Sequence, residues 1–217
     1  MTKKKIAVVL AGCGVYDGAE IHESVLTLLA IAQAGADYDI YAPDVDQHHV
    51  VNHLTGNEMP EKRNVLIESA RIARGHIKPL TELKATKADA LMLPGGFGVA
   101  KNLCTFAIDG AGCKVNPDIE RVIKEFHSSA KPIGALCISP ALITKVLGKI
   151  EVTIGQDEGT AAGINQMGGT HVKSNHGEIV TDHKNKIVTT PCYMLDANIM
   201  QIAEGAKNIT EAVIKMI

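Results

Sequence analysis

Pro132-Ile133-Gly134-Ala135-Leu136-Cys137-Ile138-Ser139-Pro140 is the stretch that decides the fold class. Ile133 to Leu136 is apolar without a break, as a strand buried on both faces must be. Ser139-Pro140 opens a helix, because a first-turn proline lacks only an N–H that would have had no partner there. One cysteine stands between the two elements. Ala135-Leu136-Cys137-Ile138-Ser139 has the form small-x-nucleophile-x-small, the nucleophile elbow, and a sharp strand-to-helix turn needs small flanks where the chain reverses. Such a turn exposes the sulfur at the carboxyl end of a strand, where open α/β sheets bind ligands. It also sets the thiol at a helix N-terminus, whose free N–H groups favour thiolate. The expectation is a nucleophile that works without an ion-pair partner; the plainer alternative is a buried cysteine acting as a small apolar residue.

Outward from this turn, strand and helix patterns alternate. Ile6 to Leu10 is a first strand, and after a glycine-rich turn Val25, Leu28, Leu29 and Ala32 recur at helical spacing up to Gly35. Asp39 to Ala42 and Ala90 to Leu93 are further strands, and Asn116-Pro117 caps a helix reaching about His127. Beyond Cys137 follow a strand from Ile150 to Ile154, a glycine-rich helical stretch, and strand segments at 171–173, 179–181 and 187–190. Helices close the chain from about Asp196. This order predicts one α/β domain over 1–217, a mostly parallel sheet with helices on both faces. The segment at about 44–87, with its own helical pattern (Val65, Ile67, Ala70, Ile72, Ala73), reads as an insertion covering one sheet edge.

Composition removes several function classes. The 217 residues are 46% apolar, enough for a sizeable core, and with 3% aromatics and no Trp that core is aliphatic. A net charge of -2 argues against nucleic acid or an anionic membrane as partner. Ile6 to Leu10 is too short for a signal sequence or a membrane span. Five scattered cysteines (Cys13, Cys104, Cys113, Cys137, Cys192), an odd number with no CxxC pair, point to free thiols in a reducing, cytoplasmic setting. Cys13, Cys104 and Cys113 read as structural or exposed.

The thiol of Cys137 needs donors for an oxyanion and an acid or base. Pro94-Gly95-Gly96 ends a strand, so its N–H groups together with that of Ile138 make an oxyanion site, unless the segment is a plain tight turn. Gly18-Ala19-Glu20-Ile21-His22-Glu23 carries two carboxylates three apart at a helix start; either of them faces the sulfur, or both only complement the helix dipole. Thr190 and Cys192 are candidates for the wall of the same pocket. His48, His49 and His53 cluster, and His49 and His53 would share a helix face. No cysteine or carboxylate completes a metal set, so they read as solvated and no metal is expected. Gly12-Cys13-Gly14 follows a strand like a dinucleotide loop, but the run is GxGxxxG and the following loop is acidic, which disfavours a pyrophosphate.

Together these segments resemble the PfpI/ThiJ superfamily, the class I glutamine amidotransferase-like branch with a nucleophile-elbow cysteine. The resemblance is greatest to the ElbB-like group of amidotransferase-like isoprenoid proteins. It rests on Ser24 to Gly35, Leu93-Pro94-Gly95-Gly96 and Ala135 to Pro140. It extends to Gly12-Cys13-Gly14-Val15-Tyr16-Asp17-Gly18, His53-Leu54-Thr55-Gly56, Arg63 to Glu68 and Thr189-Thr190-Pro191. The resemblance implies a flavodoxin-like three-layer sandwich and a homodimer. It selects Glu23, twelve residues before Gly35, over Glu20 as the acid on the nucleophile, and Gly96 and Ile138 as the oxyanion donors. It implies a cofactor-independent glyoxalase III-like lyase that turns glyoxal into glycolate. A redox or stress-response protein with a reactive cysteine, or an amidotransferase-like role near isoprenoid biosynthesis, is the alternative. Many relatives carry His after the nucleophile where this chain has Ile138, so a Cys-His-acid triad is not expected. His22, His171, His176 and His183 are the imidazoles left as substitute bases. A carboxyl beside a thiol stabilises the thiolate only when it holds its proton, so Glu23 is expected to be protonated at rest.

Overall fold

The computed structural model describes residues 3–217. The chain runs β1 (Lys5–Val9), α1 (Ile21–Gln33), β2 (Asp37–Ala42), β3 (Val50–Val51), β4 (Glu58–Met59), α2 (Val65–Ile72), β5 (Lys78–Pro79) and β6 (Ala90–Leu93). It continues through α3 (Phe106–Asp109), α4 (Pro117–Ser128), β7 (Ile133–Leu136), α5 (Ser139–Leu147), β8 (Glu151–Val152), α6 (Glu158–Gln166) and β9 (Thr170–His171). β10 (Val180–Asp182), β11 (Ile187–Thr190) and α7 (Ile199–Lys215) complete it.

The main sheet has the order β10-β11-β7-β6-β1-β2-β5. All its pairings are parallel except β10 with β11. Within it β2-β1-β6-β7-β11 is the flavodoxin-like order, whose switch point lies between β1 and β6. Side chains alternate as a two-sided sheet requires. Ala7 and Val9 face a core shared with α4 and α5, while Ile6, Val8 and Leu10 face one shared with α1 and α7. Register brings the site together. Leu93 pairs with Ala135 and Thr190 with Leu136, so Pro94-Gly95-Gly96, Cys137 and Pro191 leave the sheet side by side.

Three details differ from the sequence expectation. The buried face of α1 holds Glu23, Ser24, Thr27, Leu28, Ala30 and Ile31, whereas Val25 and Leu29 are nearly half exposed. The helix is rotated because its first turn is held by polar bonds: Glu20 caps the Glu23 N–H and Ser24 Oγ donates to the Glu20 carbonyl. The expected strand from Ile150 shrinks to β8, which pairs with β9 outside the main sheet. The closing helices are one helix, started by an Asn198–Gln201 capping box. The segment 44–87 adds β5 to the sheet edge beside β2 and supplies the β3–β4 hairpin and α2. No helix among the described residues is long and apolar enough to cross a membrane.

Candidate active site

Cys137 sits on a left-handed backbone, φ +58°. For a residue with a Cβ this costs on the order of 1–3 kcal/mol and persists only where neighbours impose it. The neighbours are visible. The Cys137 N–H donates to the Thr190 carbonyl at 3.0 Å, and Ser139 Oγ donates to the Pro94 carbonyl at 2.9 Å inside the protein. These two bonds clamp the strand-to-helix turn between β11 and the Pro94 turn.

Gly95 and Gly96 are glycines for steric reasons. A Cβ on Gly95 would overlap Cys137 Cβ and lie 2.7 Å from Glu23 Oε2 and 2.9 Å from the sulfur. Gly96 has φ +101°, and a Cβ there would collide with the backbone of Gly18 to Glu20. Freed of side chains, this turn fits between α1 and the cysteine. The Gly95 carbonyl accepts the Glu20 N–H at 2.9 Å, and the Gly95 N–H donates to Glu23 Oε2 at 2.9 Å.

Glu23 is fully buried. Its Oε2 accepts from Gly95, its Oε1 accepts from the Tyr193 N–H at 3.2 Å, and its carboxyl lies beside the Cys137 sulfur across Gly95. Burial, and then the charge of Glu20, push its pKa up to about 8 against the pull of those bonds. The backbone N–H dipoles of Gly96 and Ile138 pull the Cys137 thiol down. Even so, burial first and the Glu23 charge second hold the thiol well above its ordinary value. The expectation of a thiolate sustained by the helix N-terminus alone is corrected here: two N–H dipoles do not offset full burial beside a carboxylate. Cys137 and Glu23 form one coupled unit in which each group's ionisation opposes the other's.

A cavity of about 380 Å3 opens onto this pair, lined by Val15, Gly96, Phe97, Cys137, Ile138, Asp157, Thr160, Tyr193 and Met194. Of the residues singled out in the sequence, Cys137, Gly96 and Ile138 meet at its wall, with Glu23 directly behind the sulfur. Gly95 is adjacent, but its N–H is committed to Glu23. Glu20 is the cap of α1 and touches the Glu23 N–H at 2.7 Å. His22 is exposed and reaches the cavity only at second hand, its Nδ1 2.8 Å from the Tyr193 hydroxyl. Thr190 serves through its carbonyl, while its hydroxyl donates to the Glu178 carbonyl at 2.8 Å, so it does not form pocket wall. Cys192 is buried in the core between the sheet and α7. His176 and His183 line separate surface grooves, and His171 lies on β9.

Val15, Phe97, Asp157, Thr160, Tyr193 and Met194 escaped the sequence reading. Asp157 carried a readable signal as the N-cap of α6, accepting the Thr160 N–H at 2.7 Å; the others are ordinary apolar or aromatic positions that only the fold gathers. The Gly12–Gly18 loop is not a phosphate cradle. Its N–H groups are bonded within the protein, Gly12 to Ser69 Oγ, Gly14 to the Ala19 carbonyl and Gly18 to the Gly14 carbonyl. His49 and His53 flank β3 and do not share a helix face. His53 Nε2 accepts the Tyr16 N–H at 3.2 Å, and His49 Nε2 lies 3.1 Å from Lys101 Nζ. The segment 44–87 therefore braces the loop that carries Val15. Among the described residues no three His, Cys, Asp or Glu side chains converge as a metal site.

A strand-ending cysteine backed by a buried glutamate, on a flavodoxin-like sheet, defines an amidotransferase-like α/β protein. Solved structures carry the same fold. An isoprenoid biosynthesis protein with an amidotransferase-like domain from Ehrlichia chaffeensis superposes with a TM-score of 0.92 at 35% identity, covering 98% of this chain and 99% of that one. Glyoxalase III from Candida albicans superposes with a TM-score of 0.63 at 14% identity, over 98% and 97% of the two chains, which is a likeness of fold. No family model matches the chain. Among curated relatives, the human glutamine amidotransferase-like class 1 domain-containing protein 3, mitochondrial, is 47% identical over 98% of this chain and 83% of its own length. The mitochondrial ES1 protein homolog of Rattus norvegicus is 46% identical over 99% and 84%. The chain belongs to this ES1 family of glutamine amidotransferase-like class 1 domain proteins, and it shares the fold of a ThiJ/PfpI domain protein from Brachyspira murdochii, with a TM-score of 0.58 at 16% identity.

Proposed function

We propose that the protein is a cofactor-independent glyoxalase-type lyase acting on glyoxal or a related small 1,2-dicarbonyl. The observation that carries this reading is the Cys137–Glu23 unit at the base of a cavity whose wall also holds Gly96 and Ile138. A thiol, an acid–base carboxyl and two backbone donors are the groups an internal redox isomerisation of a dicarbonyl requires. The fold shared with a glyoxalase III adds support.

In the active form the pair holds one proton. That proton sits on the thiol: the Glu23 carboxylate takes it as the sulfur of Cys137 adds to one aldehyde carbon, and passes it to the developing alkoxide to give a hemithioacetal. Glu23, again a carboxylate, removes a proton from the former aldehyde carbon, forming an enediolate. Returning that proton to the neighbouring carbon, while the hydroxyl proton shifts from the first oxygen to the second, yields the hydroxyacyl thioester of Cys137. Water cleaves the thioester to glycolate and restores the thiol, so glyoxal and one water become one glycolic acid with no external oxidant. The N–H groups of Gly96 and Ile138 face the oxygen that gains charge in the first and last steps.

We assign the reaction to a reducing compartment, consistent with five free thiols, and to a homodimer. Leu29 and Met200 share an apolar groove between α1 and α7, with Ile21, Val25 and Ile199 exposed on the same helices. Sedimentation of a dimer that Met200→Asp converts to monomer supports that assembly; a monomeric parent chain removes it.

Conversion of glyoxal to glycolate, compared between the parent chain and Cys137→Ala, tests the activity. Turnover abolished in the variant is the expected result. Equal rates overturn the role of Cys137. An inert parent chain whose Cys137 is selectively oxidised to the sulfinate by peroxide transfers the site to redox chemistry.

A further inference from the structure

The cavity over Cys137 is larger than glyoxal needs. Glyoxal is two carbonyl groups joined directly, roughly four water-sized atoms, so at about 30 Å3 for each it takes up no more than about 120 Å3. The cavity measures about 380 Å3, within the range of about 300–1,000 Å3 found for sites that enclose whole organic ligands. Its wall is mostly apolar, formed by Val15, Phe97, Ile138, Tyr193 and Met194. A dicarbonyl with nothing attached leaves most of that wall facing water, whereas an apolar group that covers it gains hydrophobic binding.

The aromatic part of the wall is pre-set. Phe97 is 48% exposed, yet it is held from two sides. Its N–H donates to the Val15 carbonyl at 2.8 Å, and Lys101 Nζ stands 4.8 Å from the centre of its ring while donating to the Tyr16 carbonyl at 2.9 Å. Tyr193 is fastened to the start of α1 at both ends, its N–H to Glu23 Oε1 at 3.2 Å and its hydroxyl 2.8 Å from His22 Nδ1. Rings fixed in advance take up an apolar group with little further loss of freedom. Asp157 is the acidic member of the wall. Its carboxyl accepts the Thr160 N–H at 2.7 Å, and the bonds from Thr160 hold it below the usual carboxylate range, so it is charged at neutral pH. No Lys, Arg or His among the described residues lines the cavity. An acidic group on the body of a ligand therefore meets a like charge with no cation to offset it.

We propose that the ligands of this cavity are 2-oxoaldehydes whose ketone carbon carries an uncharged, ring-sized apolar group, together with the 2-hydroxy acids formed from them. The inference rests on the lyase reading of Cys137 and Glu23 and names its substrate class. Phenylglyoxal represents that class. The sulfur of Cys137 bonds to the aldehyde carbon, and the electron pair of its C=O becomes the alkoxide. Glu23 carries the proton of that carbon to the ketone carbon, which becomes the hydroxyl-bearing carbon next to the ring. Water then breaks the carbon–sulfur bond. One phenylglyoxal and one water give one mandelic acid, the thiol is restored, and no oxidant or reductant is consumed.

The test compares kcat/KM of the parent chain for phenylglyoxal and glyoxal, and the concentrations of mandelate and glycolate that halve the rate of Cys137 alkylation by iodoacetamide. Phenylglyoxal is expected to lead by at least about tenfold, and mandelate to protect at concentrations at least about tenfold below those of glycolate. 4-Carboxyphenylglyoxal should fall about tenfold behind phenylglyoxal, and Asp157→Asn should narrow that gap. Thr160→Phe, which fills the cavity with a ring of its own, should bring the first two ratios towards one. A ratio near one in either parent-chain comparison overturns the proposal, and parity of 4-carboxyphenylglyoxal with phenylglyoxal overturns its exclusion of acidic groups. Absence of turnover with every dicarbonyl refutes the lyase reading, and protection then decides alone: selective protection by mandelate retains the ligand class, while equal protection by glycolate removes it too. Because the parent chain gives these outcomes, a variant that fails to fold does not shield the idea.

Discussion

The single proton shared by Cys137 and Glu23 governs the chemistry at the residue scale. With two protons the thiol has no base beside it and attacks poorly; loss of the first proton, that of Glu23, supplies the base that takes the thiol proton. Since Glu23 titrates near 8, kcat/KM for glyoxal should rise about tenfold per pH unit on the acid side and level off above pH 8. Glu20→Gln keeps an oxygen to cap Glu23 but removes the charge that helps raise it, so the rise should shift to lower pH. An unmoved profile in that variant refutes the electrostatic account. Glu23→Gln should retain less than about 1% of turnover, because no group remains to relay the carbon-bound proton; full activity would dismiss Glu23 as the base. Gly95→Ala places a methyl where Cys137, its sulfur and Glu23 Oε2 meet. Misplacement of the pair by about 1 Å should lower kcat roughly a hundredfold, measured beside circular dichroism to establish that the fold is retained.

At the scale of elements, the site is assembled by bonds between the ends of β6, β7 and β11 and the start of α1. Ser139 Oγ, which ties the start of α5 to the Pro94 turn, is fully buried. Ser139→Ala should therefore destabilise the protein by about 1–3 kcal/mol, the cost of leaving a buried carbonyl unpaired, as read by urea unfolding. It should also lower kcat more than it raises KM, because Gly96 and Ile138 would no longer be held in one geometry. A stability change without a change in kcat would mean that the two donors are positioned by other contacts. The rotation of α1 belongs to this scale as well. Its outward Ile21, Val25 and Leu29 look like core in a one-dimensional pattern, but the helix turns its polar first turn inward to deliver Glu23.

For the whole molecule, the buried carboxyl makes stability depend on pH. Below the ordinary carboxylate range Glu23 is protonated in folded and unfolded chains alike and contributes nothing. Between that range and about 8 the folded protein keeps a proton the unfolded chain has released, so stability falls as pH rises, by up to about 1.4 kcal/mol per unit. Above 8 the contribution is constant. Unfolding free energies from pH 5 to 8 should show this decline in the parent chain and a flatter course in Glu23→Gln. Parallel curves would mean that the proton is not held at Glu23. The stability given up is intelligible as the cost of keeping an acid–base group unsolvated beside its sulfur.

Much of this protein was legible in the chain alone. Unbroken apolar runs at Ile6–Leu10, Ala90–Leu93 and Ile133–Leu136 can only be strands covered on both faces, and their alternation with helices dictates a parallel sheet. Ala135-Leu136-Cys137-Ile138-Ser139 marked the turn, and the glycines before Phe97 marked a close backbone approach, because both are local steric demands written in neighbouring residues. Which carboxylate meets the sulfur was not local: Glu20 and Glu23 are equally spaced for it until α1 is docked with its polar turn inward. The ionisation of the pair was equally out of reach, since a helix terminus lowers a thiol while burial raises it, and burial is a property of the folded volume. The cavity wall brings Val15, Phe97, Asp157 and Tyr193 from four distant segments. Sequence determined the elements and their order, where the physics is short-ranged; tertiary structure alone decided which side chains meet, because their contacts arise only when distant segments are packed together.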